Sequence, residues 1–164
     1  MENFGYYRSK VTLDFSFEAA PKYCAMSKFV PFGHIAICLN QGKLFADSYV
    51  VFWSQSNSDN NEVLYSEPDI PDTYVDRFQV DLAGLPNEID TILFAVKRFA
   101  PEYSDHIVSV TYDNEEPFQL KIKNGFSKYN DSEIRTLLKM SRETCWRVDL
   151  FEGQIDIDAL LEHG

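Results

Sequence analysis

Four carboxylates stand close together in one short stretch of the chain, residues 66–76. They are Glu67, Asp69, Asp72 and Asp76. Calcium takes six to eight oxygen ligands, several of them from carboxylates, so these four residues could supply part of a calcium site. The stretch also holds two prolines and no glycine, which suits a solvated surface loop whose acids are simply exposed. The sequence leaves both interpretations open.

The other residue types that often do chemistry are scattered. The three histidines, His34, His106 and His163, are too far apart in sequence to suggest a metal pair. The three cysteines are odd in number and form no Cys-x-x-Cys pair, so we expect small buried hydrophobes. They are Cys24, Cys38 and Cys145. With no glycine-rich phosphate loop and no Gly-x-Ser-x-Gly motif, the sequence predicts no catalytic residues and no organic cofactor. An enzyme whose site forms only in space is the less favoured alternative.

The elements that would position these residues must come from one domain. At 164 residues, with 45% hydrophobic and 15% aromatic content, the chain can bury a core without disulfides or structural metals. We therefore expect a single domain over residues 1–164.

The charge balance limits the classes of partner. A formal net charge of −11 repels phosphate backbones and anionic lipid headgroups, so nucleic acid is not expected as a partner. An acidic surface suits a cation or a basic protein, or it simply maintains solubility. The first residues are neither basic nor apolar, and no apolar run could span a bilayer. The sequence thus predicts a cytoplasmic protein without a transmembrane segment.

Period-two alternation in the first half of the chain predicts strands. Val11, Leu13 and Phe15 alternate with polar residues, which indicates a half-buried strand. Residues 34–39 and 49–53 are apolar runs that we interpret as core strands, with a turn after the first in which Gly42 supplies a positive φ. Residues 54–61 are all polar and predict an exposed loop. The loop contains Asp59 but lacks the glycine that an EF-hand calcium loop requires.

Further strands are predicted downstream. A brief strand at 63–65 is followed by an alternating one at 77–82. Residues 90–99 have an entirely apolar centre, which suits a strand covered on both sides. Residues 108–112 and 118–122 flank a turn-forming segment and predict a hairpin.

The C-terminal third is less decisive. The segment from Asp131 to Arg142 fits both a helix and a strand by periodicity, and propensity slightly favours a helix. Residues 145–151 indicate a strand, and residues 158–163 could form a short helix. Taken together, eight or more short strands predict a mainly all-β fold, a two-sheet antiparallel β-sandwich with a short C-terminal helix.

Three segments carry a resemblance to a known family. Asp47 to Gln55, with the sequence DSYVVFWSQ, resembles the strand of the TerD family of bacterial tellurium-resistance and stress proteins that ends in an aromatic residue followed by Asn-Gln. The runs RFQVDL (residues 77–82) and LPNEIDTILFAV (residues 85–96) are similar to the family's Val-Asp-Leu strand, turn and apolar strand. The resemblance implies a β-sandwich in which the segment near Leu137 is a strand paired with residues 145–151.

The resemblance also implies a function. TerD-like proteins act in stress and tellurite-resistance systems, and this chain is expected to be a non-catalytic module that binds protein partners and calcium through acidic loops. The family's Leu-Asp-Ala-Ser segment is matched by Phe32 to Ile35, which lacks the carboxylate, and its long glycine-containing loop is matched by residues 67–76, shortened and without glycine. These departures point to weakened or lost calcium binding. A calcium-free protein-interaction scaffold is the alternative.

Overall fold

The computed structural model describes residues 10–17, 33–52, 54–68, 75–97, 106–113, 115–122, 134–143 and 146–150. These residues form eleven strands, in chain order β1 (Lys10–Phe17), β2 (Gly33–Asn40), β3 (Lys43–Leu44), β4 (Val50–Val51), β5 (Val63–Ser66), β6 (Asp76–Asp81), β7 (Thr91–Lys97), β8 (His106–Tyr112), β9 (Phe118–Ile122), β10 (Ile134–Arg142) and β11 (Trp146–Leu150). Short 3-10 turns cover Asp47–Tyr49 and Leu82–Gly84.

The strands form two sheets. The first has the order β5-β6-β1-β8-β9, and the second has the order β11-β10-β7-β2-β3, with β4 also paired to β2. Every pairing between these strands is antiparallel. The predicted antiparallel two-sheet β fold is therefore confirmed.

The core lies between the sheets, where alternating side chains of each strand point inward. Phe15 and Phe78 of the first sheet are fully buried, as is Phe94 of the second. The ring centroid of Phe15 lies 5.8 Å from that of Phe78 and 5.7 Å from that of Phe94. These aromatic contacts add to the apolar burial that holds the two sheets together.

Strand β7 is buried on both faces, as its apolar sequence predicts. It lies between β10 and β2. Phe94 faces the core between the sheets, whereas Leu93 packs with Ile37 in a second buried cluster. The predicted hairpin is also present, because β8 and β9 pair around residues 113–117.

The strand predicted over residues 49–53 is much shorter in the structure. Tyr49 belongs to a 3-10 turn, and only Val50 and Val51 pair with β2. The chain then reverses tightly, since Phe52 and Gln55 exchange backbone hydrogen bonds of 2.9 and 3.0 Å. The Gln55 side chain also donates to the carbonyl of Val50 at 2.6 Å, so the reversal ends the strand.

The ambiguous segment near Leu137 is strand β10, which pairs with β11 as the resemblance implies. The register between β10 and β7 shifts between Thr136 and Leu138. This bulge makes Leu137 an extra residue, so both Leu137 and Leu138 are buried in the core. The mixed periodicity of the sequence therefore comes from the bulge.

Several predictions fall on residues that the structure does not describe. The C-terminal helix expected at residues 158–163 lies outside the described residues, and so do Cys24 and Cys145. In the part of the chain that is described, no helix has the length and apolar character needed to cross a membrane.

Candidate functional site

The structure describes two of the four predicted calcium ligands, Glu67 and Asp76, and they differ in exposure. Glu67 is exposed directly after β5, and Asp76 is the first residue of β6 and fully buried. Because β5 and β6 pair with Ser66 opposite Arg77, the two carboxylates lie at neighbouring strand ends. Asp69 and Asp72 lie outside the described residues. Calcium binding by these four residues therefore stays a prediction.

Asp76 bonds to residues of both sheets. Its Oδ2 lies 2.6 Å from Nδ1 of His34 and accepts a hydrogen bond of 3.2 Å from the His34 backbone N–H. Its Oδ1 accepts a hydrogen bond of 2.7 Å from the Tyr65 hydroxyl. His34 is on β2 and Tyr65 on β5, so a single carboxylate connects three strands. We call His34, Tyr65, Glu67 and Asp76 the cross-sheet cluster.

Tyr65 joins the buried and exposed ends of this cluster. Its hydroxyl is 2.7 Å from Asp76 Oδ1 and 3.1 Å from Glu67 Oε2. A tyrosine hydroxyl has one hydrogen, and the shorter distance indicates that Asp76 receives it. Burial, together with the nearby carboxylates of Asp76 and Glu67, raises the pKa of Tyr65 well above its ordinary value, so this hydroxyl remains a donor at neutral pH.

His34 is set into the aromatic core. Its side chain is fully buried, and its ring stacks on Phe15 with centroids 4.8 Å apart and planes at 30°. The sequence placed His34 at the start of a core strand, but its partner Asp76 is 42 residues away. The pairing of β1 with β6 and the packing of the sheets bring the two residues together, which no local sequence signal reveals.

A second polar cluster, centred on Glu62, was not anticipated from the sequence. Glu62 Oε1 accepts hydrogen bonds from Ser58 Oγ at 2.6 Å and from the Asn60 N–H at 3.0 Å. Glu62 Oε2 accepts one from the Tyr49 hydroxyl at 2.7 Å. We call Tyr49, Ser58, Asn60 and Glu62 the Glu62 cluster. Ser58 is fully buried, so the all-polar loop predicted to be exposed has one buried side chain.

The Glu62 cluster stabilises the charged form of its carboxylate. Burial acts to raise the pKa of Glu62, but the hydrogen bonds from Ser58, Tyr49 and the backbone outweigh it and lower the pKa. Ser58 also accepts from the Val63 N–H at 2.9 Å. The sequence signal that could have indicated a tight turn here is Asn61, because asparagine is enriched at positive φ, and its φ in the structure is 63°.

Cys38 lies near this carboxylate and is not activated by it. Burial, and then the charge of Glu62, raise the pKa of the Cys38 thiol to about 12. Since the thiolate is the nucleophile, a thiol with so high a pKa is inert at neutral pH. The prediction that Cys38 is a small buried hydrophobe is confirmed.

The described residues of the two clusters do not form a metal site. Among the described residues, no group of three or more histidine, cysteine, aspartate or glutamate side chains is placed to hold one. In the cross-sheet cluster both oxygens of Asp76 already accept hydrogen bonds, which leaves Glu67 as the exposed carboxylate. The chemistry that these arrangements support is the joining of strands and sheets.

Two solved protein structures share this fold. The sequence matches no protein-family model and no curated protein. The structure is similar to that of SAV2460, a protein of unknown function, with a TM-score of 0.60 and 13% identity over 95% of this chain and 97% of that one. It is also similar to SCO6318 of Streptomyces coelicolor A3(2), a homologue of the telluride resistance protein TerD. That match has a TM-score of 0.58 and 16% identity over 95% of this chain and 98% of the other. The resemblance to TerD proteins is thus confirmed at the level of the fold.

Proposed function

We propose that this protein is a divergent TerD-like module that works in a bacterial stress or tellurite-resistance system. The observation that carries the proposal is the fold shared over 95% of the chain with a telluride-resistance homologue. The TerD-like segments of the sequence provide independent support, because residues 77–82 and 85–96 form β6, the following turn and β7 in the expected order.

We further propose that the module acts by contacting other proteins rather than by catalysis. Four polar side chains of the two clusters are buried, with His34, Ser58 and Asp76 at 0% exposure and Glu62 at 4%. A catalytic acid, base or nucleophile must come within hydrogen-bonding reach of its substrate, and burial keeps these four side chains away from solvent. The net charge of −11 favours a partner with a basic surface.

A growth assay tests the proposed role. Deleting the gene in its native host should increase sensitivity to tellurite, and expressing the wild-type protein from a plasmid should restore growth. A plasmid that carries a frameshifted copy controls for the vector. Unchanged growth of the deletion strain under tellurite, oxidative and acid stress would refute the proposal.

A calcium-free scaffold is the second candidate, and the geometry of Asp76 favours it. Calcium requires several carboxylate or carbonyl oxygens pointing at one position. Both oxygens of Asp76 point instead at His34 and Tyr65. The carboxylate that the sequence offered as a cation ligand thus holds strands together, and we propose that it does so without calcium.

Thermal unfolding of chelator-treated protein separates the two candidates. A ligand at a hundred times its Kd stabilises the folded state by about 2.7 kcal/mol, which for a domain of this size raises Tm by about 5 to 10 °C. We expect no such rise with millimolar calcium, and magnesium controls for screening of the net charge. A rise with calcium alone would exclude the calcium-free scaffold and leave the TerD-like role intact.

A further inference from the structure

The outer edge of β11 is the free end of the second sheet within the described chain. β11 pairs with β10 on one side, and the sheet order ends there. The backbone N–H and C=O groups on the other side of an edge strand are a template for pairing with another strand. No described strand occupies that position.

The two faces of β11 have distinct chemistry. Trp146, Val148 and Leu150 alternate toward the core, and their exposure rises along the strand from 7% at Trp146 to 45% at Leu150. Arg147 and Asp149 are on the opposite face, with side chains 56% and 43% exposed. The edge therefore combines an exposed apolar residue with one positive and one negative charge.

The five residues of β11 are complementary to the same five residues of a second copy that runs antiparallel to them. In an antiparallel pair, directly opposed residues share a face of the sheet. A two-fold axis through Val148 places Arg147 opposite Asp149 of the second copy, and Asp149 opposite its Arg147. It also places Trp146 opposite Leu150 of the second copy, which covers exposed apolar surface. We propose that the protein forms a two-fold dimer in which β11 pairs antiparallel with β11 of a second copy.

The charges also select the register. Inward-facing residues must oppose inward-facing residues, so the pairing register can shift only in steps of two residues, and each step moves the two-fold axis by one residue. Moving the axis to Arg147 opposes two arginines, and moving it to Asp149 opposes two aspartates. Like charges directly opposite are destabilising. The axis at Val148 is the register that forms two ion pairs.

The existing contacts of these charges do not oppose the dimer. Arg147 lies 3.3 Å from Asp149 and 3.8 Å from Glu143 within its own chain. Exposed pairs of this kind are weak and re-form readily with a new neighbour. In the dimer the two arginines and two aspartates make one cluster of alternating charge.

Strand β9, at one edge of the first sheet, does not have this charge complementarity. A two-fold axis through Leu120 of β9 would place Gln119 opposite Lys121, which forms no ion pair. β9 does carry an exposed Phe118, at 43%. Charge complementarity therefore distinguishes β11 from β9.

Because the paired strand is only five residues long, we expect weak, concentration-dependent association rather than an obligate dimer. This inference does not depend on the proposed TerD-like role.

Charge reversal tests the dimer. We would measure the dimer dissociation constant by sedimentation equilibrium from about 1 µM to about 1 mM, near physiological ionic strength. Arg147→Asp and Asp149→Arg should each weaken the dimer by about tenfold or more, because each opposes like charges. The double variant R147D/D149R restores two ion pairs and should return the dissociation constant to within about threefold of wild type.

The controls distinguish the loss of strand pairing from an effect of net charge. The two single variants change the net charge in opposite directions, so a loss of dimer in both cannot come from net charge. Lys43→Asp makes the same charge change as Arg147→Asp at the exposed opposite edge of the same sheet and should leave the dimer unchanged. A wild type that remains monomeric at the highest concentration overturns the proposal. So does a dimer that is indifferent to the single reversals, or one that the double variant does not restore.

Discussion

The Nδ1 atom of His34 lies 2.6 Å from Oδ2 of Asp76, and both side chains are fully buried. The contact joins β2 of one sheet to β6 of the other. Buried polar groups without partners are costly, so this arrangement ties the position of the two sheets to one carboxylate. The acid that the sequence offered as a cation ligand therefore has a structural role of its own.

Asp76→Ala should strongly destabilise the fold. The change removes the Asp76 carboxylate from the His34 ring nitrogen and the His34 N–H in the core, and it leaves the Tyr65 hydroxyl its longer contact with Glu67. We expect a loss of unfolding free energy on the order of 3 kcal/mol. The matched control is Glu67→Ala, since Glu67 also contacts the Tyr65 hydroxyl but is exposed. It should cost less than about 0.5 kcal/mol. Urea unfolding measures both, and equal losses would contradict the assigned role of Asp76.

Stability should fall as the pH rises above about 10, partly because of two tyrosines. Burial and the neighbouring carboxylates raise the pKa of Tyr49 and Tyr65 above their ordinary value. Above pH 10 the unfolded chain ionises while the folded chain keeps both protons, so unfolding becomes easier by up to about 1.4 kcal/mol per pH unit for each tyrosine. Tyr49→Phe and Tyr65→Phe should each reduce this slope. The free energy of unfolding would be measured in urea at several alkaline pH values. If it fell with pH as steeply in both variants as in wild type, the two tyrosines would not be responsible.

Ser58→Ala should destabilise the Glu62 cluster. The Ser58 hydroxyl donates to Glu62 and accepts from the Val63 N–H, so its removal leaves two buried groups each without one partner. We expect a loss of about 1 to 3 kcal/mol. Ser56→Ala changes an exposed serine two residues earlier and should be nearly neutral in the same denaturation experiment. If Ser56→Ala proved as damaging as Ser58→Ala, the loss would belong to the loop as a whole.

Cys38 should resist alkylation until the protein unfolds. Its thiol is buried and its pKa is raised to about 12, so neither exposure nor thiolate chemistry assists the reagent. Peptide mapping after iodoacetamide treatment should show Cys38 unmodified in native buffer and fully modified in denaturant. Rapid labelling under native conditions would show that β2 opens locally.

Local patterns in the sequence were sufficient for most strands. Alternation at Val11, Leu13 and Phe15 predicts β1 because side chains on successive strand residues point to opposite faces. The unbroken apolar run of β7 predicts a central strand for the same reason. Where the pattern misled, a local irregularity was responsible: the bulge at Leu137 mixes helix and strand periods, and the reversal after Phe52 ends a strand that the apolar run would have continued.

Apolar patterns in the sequence indicate which hydrophobic side chains are buried and with what period, and they therefore predict a fold built from antiparallel strands. Which polar residues meet depends on the tertiary structure. His34 and Asp76 are 42 residues apart, and Glu62 gathers Tyr49 from 13 residues away. Apolar burial depends on each residue's own side chain and its neighbours in the strand. Hydrogen-bonded clusters depend on sheet order, register and packing, which arise only when distant segments come together.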